Sequence, residues 1–380
     1  MWQPMTSQMF DRVFEYCLLL LAMYDTLSSI MDFFENWLGT QLETFGTSHV
    51  LIVSGLFVGF LFGFFAQKSR FCLRAATLEF WRGQPGEKTI VWLITFSAAA
   101  LFTQLFIHLD WMDVSGSRQL ATVGSMSGAL IGGMIFGFGM VLARGCVSRL
   151  LVLSAQGNLR ALLTGLIVAV TAQASMHGVF SGVRQEISTW WLVSASERDL
   201  LAVVGFGSFT SYVLLGIWVL GAAYLMAKSP KQWLRWFFAA CVGLCVVLAW
   251  WVTWTISITS YDVVSVQSLT FSGPSADWLM AVLTPVSDWG FGHGLLPGVF
   301  LGSWFAAWLS AELAVEGFQD GPSMWRYLAG GVFMGFGGML AGGCAVGAGI
   351  TGASVFSSTA WMSLLAMWLG AGLIKTMLRE

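Results

Sequence analysis

The chain has 380 residues, of which 57% are apolar and 10% charged, and a formal net charge of −2 at pH 7. Soluble domains carry about 25% charged residues, so this composition excludes an ordinary soluble enzyme and places the chain in a membrane. The near-neutral charge gives no sign of a nucleic-acid partner, and no polar stretch is long enough to house a soluble domain.

Residues 1–48 read as an N-terminal extension. Asp11, Glu15, Asp25, Asp32 and Glu35 interrupt its apolar pattern, so a cleaved secretory signal is not expected there. Segment 13–35 is either an extra span or an amphipathic helix lying on the membrane, in contact with lipid. A spanning helix needs about 20 mostly apolar residues. Nine candidates follow, at 50–66, 90–108, 127–145, 161–176, 201–226, 236–256, 295–312, 327–343 and 359–376.

Short cytoplasmic loops collect Lys and Arg. If 67–89 is cytoplasmic, strict alternation puts 146–160, 227–235, 313–326 and the C-terminus on the same side. Those stretches and the helix ends adjoining them, with Arg12 if segment 13–35 spans, hold 15 of the 18 Lys and Arg; only Arg118, Arg184 and Arg198 fall elsewhere. The stretch 257–294 lies on the outer side and carries Asp262, Asp277 and Asp288 but no Lys or Arg.

One phrase occurs twice. From Gly132 to Cys146, nine of fifteen positions are identical to those from Gly330 to Cys344, 198 residues later. Alternation gives the two copies opposite sense across the membrane, and four spans on each side of 201–226 can be matched in the same way. The expected fold class is an all-α integral membrane protein of about nine spans with re-entrant half-helices in an inverted pseudo-two-fold repeat, a transporter plan. Its parts are a first membrane repeat at 49–200, a connecting helix and loop at 201–235, and a second, inverted repeat at 236–380.

The glycines of the phrase, Gly133 with Gly137 and Gly331 with Gly335, lie four residues apart, which suits close helix approach in lipid. The cysteines ask for more. Cys146 and Cys344 each follow a glycine, Gly145 or Gly343, and precede a stretch too short to span. Tyr327 to Gly343 is 17 residues, about 25 Å of helix and less than the roughly 30 Å hydrocarbon core. A helix break within the membrane is expected there, lining protein or a wet cavity. Cys72 follows another full span and is flanked by Lys68, Arg70 and Arg74.

The phrases "KSRFC", "GFGMVLARGC" and "GFGGMLAGGC" resemble the YeeE/YedE family of bacterial inner-membrane proteins over roughly residues 50–376. Arg144 departs from the more usual A-G-G-C wording, and residues 1–48 are not matched to the family. The resemblance implies a permease that takes up thiosulfate or a related sulfur anion along an hourglass-like path. It implies an inner-membrane location with a cytoplasmic C-terminus, and a small cytoplasmic TusA-like sulfurtransferase as partner. Matched residue by residue, Cys72, Cys146 and Cys344 would contact substrate in turn, with Arg70, Gly145 and Gly343 beside them. No cofactor and no metal are implied.

The chemistry is coherent with that implication. Thiosulfate is a small dianion with a soft terminal sulfur, and half-helix N-termini offer N–H groups and a positive dipole end without a trapping fixed charge. A neutral thiol adds a weak donor and a soft partner. Arg144 is expected to snorkel to the surface rather than turn inward. Cys17, Cys241 and Cys245 read as packing residues. His49, His108, His177 and His293 fall near outer helix ends, and Glu79 and Glu312 near cytoplasmic ends where solvated carboxylates are ordinary. A rival reading is a membrane thiol-redox or sulfur-transfer enzyme working through persulfides or disulfides on the same cysteines. A third is a structural subunit in which they are dispensable.

Overall fold

The computed structural model describes residues 29, 32–200, 216–218, 220, 221, 232–284, 289–318 and 321–378. Most of segment 13–35, most of the expected span 201–226 and Cys17 lie outside the described residues. The first half begins with a helix over 32–45 (α1) and continues through α2 (Thr47–Ser69), the short α3 (Leu73–Trp81) and α4 (Glu87–His108). A single turn, α5 (Arg118–Ala121), leads to α6 (Met126–Leu142), the short α7 (Val147–Ala155) and α8 (Leu159–His177), followed by α9 (Ser181–Thr189) and α10 (Ala195–Arg198). The second half contains α11 (Trp233–Thr259), α12 (Ser272–Leu283), α13 (Phe291–Leu309), α14 (Gly321–Leu340), a π-helix (Gly347–Gly352) and α15 (Ser358–Leu378). Among the described residues the one sheet is a two-residue antiparallel pairing of β1 (Gly124–Ser125) with β2 (Leu192–Val193).

Six stretches are long and apolar enough to cross a membrane: Thr47–Trp81, Glu87–His108, Met126–Ala155, Leu159–His177, Trp233–Thr259 and Ser358–Met377. They coincide with six of the nine expected spans. The spans expected at 295–312 and 327–343 are helices too, α13 and α14, but are not among the six, because glycines and polar residues such as His293 and Arg326 dilute their hydropathy. The fold is therefore all-α and multi-pass. One expectation is corrected: α14 starts at Gly321 rather than near Tyr327, so its 20 residues give about 30 Å of helix. Length alone no longer argues that Cys344 sits inside the membrane.

Local sequence sets several helix starts. The Ser125 hydroxyl accepts from Gly128 N at 2.8 Å at the head of α6, and Asn158 Oδ1 accepts from Ala161 N at 2.9 Å at the head of α8. Each satisfies one of the N–H groups a helix leaves unpaired.

Glycine governs the packing. Gly55, Gly59 and Gly63 of α2 lie against the backbone of Phe291, Leu295 and Val299, while Gly294, Gly298 and Gly302 of α13 lie against Ile52, Leu56 and Phe60. The two helices run parallel and each fits the other's carbonyls into a glycine row. Gly243 brings α11 onto Thr95 and Ala99 of α4, Gly133 and Gly137 bring α6 onto Ser363 and Met367 of α15, and Gly331 and Gly335 bring α14 onto Thr164 and Val168 of α8. Those three pairs are also parallel. In contrast α6 and α14 run antiparallel, with Gly132 against Gly337 and Gly139 against Gly330. These directions agree with the senses expected from the Lys and Arg distribution.

Side chains gather the basic stretches at one end of the bundle. Lys68 Nζ donates to Ser310 Oγ at 2.6 Å, Gln232 Nε2 to Glu87 Oε2 at 3.1 Å, and Lys375 Nζ to the Trp81 carbonyl at 2.8 Å. Arg235 pairs with Glu87. We call this the basic end. The short α3 is pinned there, since Trp81 Nε1 also donates to the Trp368 carbonyl at 2.9 Å.

A Cβ at Gly59 would stand 2.4 Å from the Leu295 carbonyl oxygen, whereas one at Gly165 would meet nothing within 4 Å. Gly59→Ala is expected to force α2 and α13 apart and lower the thermal midpoint of the detergent-solubilised protein by several degrees. Gly165→Ala, at an open helical position where alanine is favoured by up to about 1 kcal/mol, should leave the midpoint unchanged or raise it.

Candidate functional site

The three motif cysteines occupy the same local structure. Helix α2 ends on Arg70 (φ 55°), α6 ends before Arg144 (φ 54°) and α14 before Gly342 (φ 78°), all left-handed. At each, the left-handed residue's N–H bonds the carbonyl three back and the next N–H bonds the carbonyl five back. The pairs are Arg70 to Gln67 and Phe71 to Ala66, Arg144 to Val141 and Gly145 to Met140, and Gly342 to Met339 and Gly343 to Gly338. This double closure satisfies carbonyls that the helix end leaves open.

The residue after each closure is a cysteine, and its carbonyl starts the next helix. Cys72 O accepts from Ala76 N at 3.2 Å, Cys146 O from Leu150 N at 2.9 Å and Cys344 O from Ala348 N at 2.8 Å. Cys72 and Cys146 thus cap the starts of α3 and α7, and Cys344 stands three residues before the π-helix, each directly behind a reversal of the chain. The left-handed requirement explains why glycine suits position 342, and Arg144 meets it at a backbone cost of about 1–2 kcal/mol. Arg144 turns outward as expected, its guanidinium 6.0 Å from the Tyr327 ring, over which Arg160 sits closer, at 4.4 Å.

Two of the thiols meet. Cys72 and Cys146 lie within interaction distance of each other at the basic end, and Cys146 Sγ lies 3.3 Å from Ser148 Oγ. Cys146 is fully buried and Cys72 partly so. Arg149, in the first turn of α7, lies within electrostatic reach of both sulfurs. Its Nη1 donates to Gln67 Oε1 at 3.3 Å, and Gln156 donates to the same oxygen. Gln67 Nε2 in turn donates to Glu312 Oε2 at 2.6 Å, and Arg70 Nη2 reaches Glu312 Oε1 at 3.2 Å. The sequence named Arg70 and Glu312 but passed over Gln67, Arg149 and Gln156. Gln67 and Arg149 stand at helix ends beside two motif cysteines, a signal that was available.

Cys344 lies at the opposite end of the antiparallel pair. Ala143 and Gly330 are neighbours at the basic end, Gly128 and Leu340 at the other, and the 15 residues from Gly128 to Ala143 correspond to about 20 Å of helix. Cys344 is 1% exposed and its sulfur accepts from Gly347 N at 3.5 Å. Just outside it, Arg118 Nη2 donates to the Gly342 carbonyl at 2.9 Å. Arg118, Arg184 and Arg198 line one cavity of about 280 Å³ together with Gly342, Gly347 and Thr359. Arg198 is held by the Arg118 and Thr122 carbonyls and by Thr359 Oγ1, and Arg184 by the Ser175 carbonyl. An adjoining cavity of about 330 Å³ is lined by Arg118, Asp277, His293 and Gly343. The three arginines that broke the Lys and Arg pattern therefore share one place beside a motif cysteine.

The remaining candidates have local partners. Cys241 and Cys245 line an apolar cavity with Leu61, Phe65, Leu248 and Trp251, which fits a packing role. His49 Nδ1 lies 2.9 Å from the Phe45 carbonyl, and His293 Nδ1 accepts from Gly290 N at 3.1 Å at the start of α13. Glu79 accepts from Gly86 N and Thr89 N, building the α3–α4 turn. Among the described residues no group of three His, Cys, Asp or Glu is placed to hold a metal ion. Gly145 and Gly343 are both buried but differ in need. A Cβ at Gly343 would stand 2.8 Å from Ala348 N, while at Gly145 the nearest atom is a flexible Leu150 methyl at 3.4 Å.

A multi-pass helical bundle with one cysteine-bearing polar site at each end of a central helix pair has the form of a membrane transport protein. The chain belongs to the sulphur transport (YeeE/YedE) family, whose pattern matches residues 68–373. It is 27% identical over 347 residues to the thiosulfate transporter TsuA of Escherichia coli K12, covering 84% of this chain and 92% of that protein. Against the thiosulfate transporter TsuA of Spirochaeta thermophila it is 26% identical over 343 residues, covering 84% of this chain and 97% of that one.

Two outcomes test this local geometry. Arg144→Gly relieves the left-handed strain while Arg160 keeps its place over Tyr327, so stability in detergent should rise by about 1 kcal/mol, whereas Arg144→Val should lower it. Gly343→Ala should cost more folded protein, read as monodisperse yield, than Gly145→Ala.

Proposed function

We propose that the chain takes up thiosulfate, or a closely similar small sulfur anion, across the bacterial inner membrane with the basic end and C-terminus in the cytoplasm. The observation that carries this reading is the placement of three thiols at three equivalent helix starts, two joined at the basic end and one beside the arginine-lined cavity at the other. The membership of the family and the names of the two relatives point to the same cargo.

The order of contacts follows from charge. A dianion reaching the outer end meets Arg118, Arg184 and Arg198, which raise its local concentration without a buried fixed charge on the path itself. Past Cys344 the passage offers thiols and N–H groups at helix starts, which stabilise an anion without holding it. Cys72 and Cys146, with Arg149 behind them, receive it at the inner end. Gly145 and Gly343 shape the turns that aim the thiols, and Arg70 acts at the inner exit. A TusA-like sulfurtransferase in the cytoplasm is a fitting acceptor for the cargo.

The inverted-repeat plan underlies this path. Exchange α2 with α11, α3 with α12, α4 with α13, α6 with α14, α7 with the π-helix and α8 with α15. The packing of α2 on α13 then becomes that of α11 on α4, α6 on α15 becomes α14 on α8, and α3 on α15 becomes α12 on α8, all of which occur. The contact of Gly132 with Gly337 becomes that of Gly330 with Gly139. We therefore divide the protein into an N-terminal extension at 1–48, repeats at 49–200 and 236–380, and a connector at 201–235, with nine spans.

Growth of a sulfur-auxotrophic bacterium on thiosulfate as sole sulfur source should depend on this gene. Cys→Ala at Cys72, Cys146 or Cys344 should cut uptake about 5- to 150-fold, the kinetic equivalent of losing about 1–3 kcal/mol from the passage. Cys→Ser keeps a donor and should retain more uptake than alanine at one or more of the three. Changes at Cys241 or Cys245 should be nearly silent. Serine as inactive as alanine, with a persulfide trapped on one of the three, would replace permeation by covalent sulfur transfer. Full uptake in the triple alanine variant would remove the cysteines from the mechanism.

A further inference from the structure

Behind the Cys72–Cys146 pair, side chains at the end of α2 close on one carboxylate and are backed by side chains of α7 and the residue after it. Both Glu312 oxygens are taken by side-chain donors, Oε2 by Gln67 Nε2 at 2.6 Å and Oε1 by Arg70 Nη2 at 3.2 Å. Gln67 is 3% exposed, and its own oxygen is held by Arg149 and Gln156. Its amide is thereby oriented with the N–H₂ group toward the carboxylate. Arg149 and Arg70 lie within electrostatic reach of each other and of Lys88. The cluster is a set of donors and positive charges fitted to an anion, standing next to the two thiols.

Glu312 fills this site without being needed to hold its own segment. Helix α13 ends on Ala311 (φ 52°), and Glu312 N bonds the Ala307 carbonyl at 2.9 Å. The chain beyond then forms a strap tied by its backbone to the turn between α7 and α8. Ala314 N donates to Gln156 O, Glu316 N to Gly157 O and Leu159 N to Glu316 O, each at 3.1 Å. The carboxylate can leave its donors with the strap still fastened. Glu79 at the same end is different, because its Oε2 accepts two backbone N–H groups and builds a turn.

We propose that the Glu312 carboxylate is a tethered occupant of an anion site at the inner exit, alternating there with the transported dianion. This rests on the transport reading given above. The dianion leaving Cys72 and Cys146 takes the Gln67 amide and the Arg70 guanidinium from Glu312. The returning carboxylate then competes it off toward the basic end. Without such a competitor, a site holding Arg70, Arg149 and Lys88 would bind a dianion too well to pass it on, and conduction requires that each site also release.

The test is thiosulfate binding to the purified full-length protein by titration calorimetry, paired with uptake kinetics in the auxotroph. Glu312→Gln removes the competing charge and should tighten binding about tenfold, the worth of one charge-assisted hydrogen bond no longer committed to Glu312. KM and the maximal uptake rate should fall together. A merely structural Glu312 predicts weaker binding and a raised or unchanged KM. Glu312→Asp shortens the tether and should fall between wild type and Glu312→Gln; it carries the test alone if the glutamine variant does not fold. Unchanged or weaker binding in whichever variant folds overturns the alternation while leaving transport intact. A wild-type protein that neither binds nor takes up thiosulfate overturns the transport reading, and this inference with it.

Discussion

A helix that ends within a packed bundle must satisfy its last N–H and C=O groups locally, and the rest of this structure depends on how that is done. The left-handed turns at Arg70, Arg144 and Gly342 each close a helix with two hydrogen bonds and release the chain into a new helix that starts at Leu73, Val147 and Gly347 respectively. A buried backbone polar group left unpaired costs about 1–3 kcal/mol, so a looser break would not persist. Because the reversal is tight, the following cysteine has no freedom to wander. The thiol's position is a property of the backbone, not of a mobile side chain.

The turns in turn need partners close at hand, and glycine supplies the closeness. Gly132, Gly139, Gly330 and Gly337 let α6 and α14 touch backbone to backbone, which brings the Cys146 break beside one end of α14 and the Cys344 break beside one end of α6. Charge is then sorted by end. Arg149, Arg70 and Lys88 gather around one pair of thiols, and Arg118, Arg184 and Arg198 around the cavity next to Cys344. In the proposed transport cycle these two collections of positive charge meet the same dianion on its way in and on its way out.

Much of this was legible in the sequence. The apolar runs and the Lys and Arg distribution gave the helices and their relative directions, because both follow from partition between water and lipid, which acts residue by residue. The doubled phrase from Gly132 and Gly330 announced a helix pair, and the Gly133–Gly137 and Gly331–Gly335 spacings found their partners on α15 and α8. Other features were not legible. The start of α14 at Gly321 was missed because "GPSMWR" is polar and hydropathy sees no membrane there. Gln67, Arg149 and Gln156 were missed because a buried amide network depends on which helix ends meet, 82 and 89 residues apart in sequence. The sharing of one cavity by Arg118, Arg184 and Arg198 is likewise a tertiary fact. Each looked in isolation like an exception to a topology rule.

The mutual glycine rows of α2 and α13 have a mechanical consequence. Shifting α2 by one residue, about 1.5 Å, would drive Leu56, Phe60 and Phe64 into the space that Gly55, Gly59 and Gly63 now leave to the carbonyls of α13. Sliding in small increments is therefore barred. Notch meets notch again only after four residues, about 6 Å. The pair behaves as a keyed shaft that resists shear but can tilt as a unit. Any displacement of one of these two helices must therefore carry the other with it.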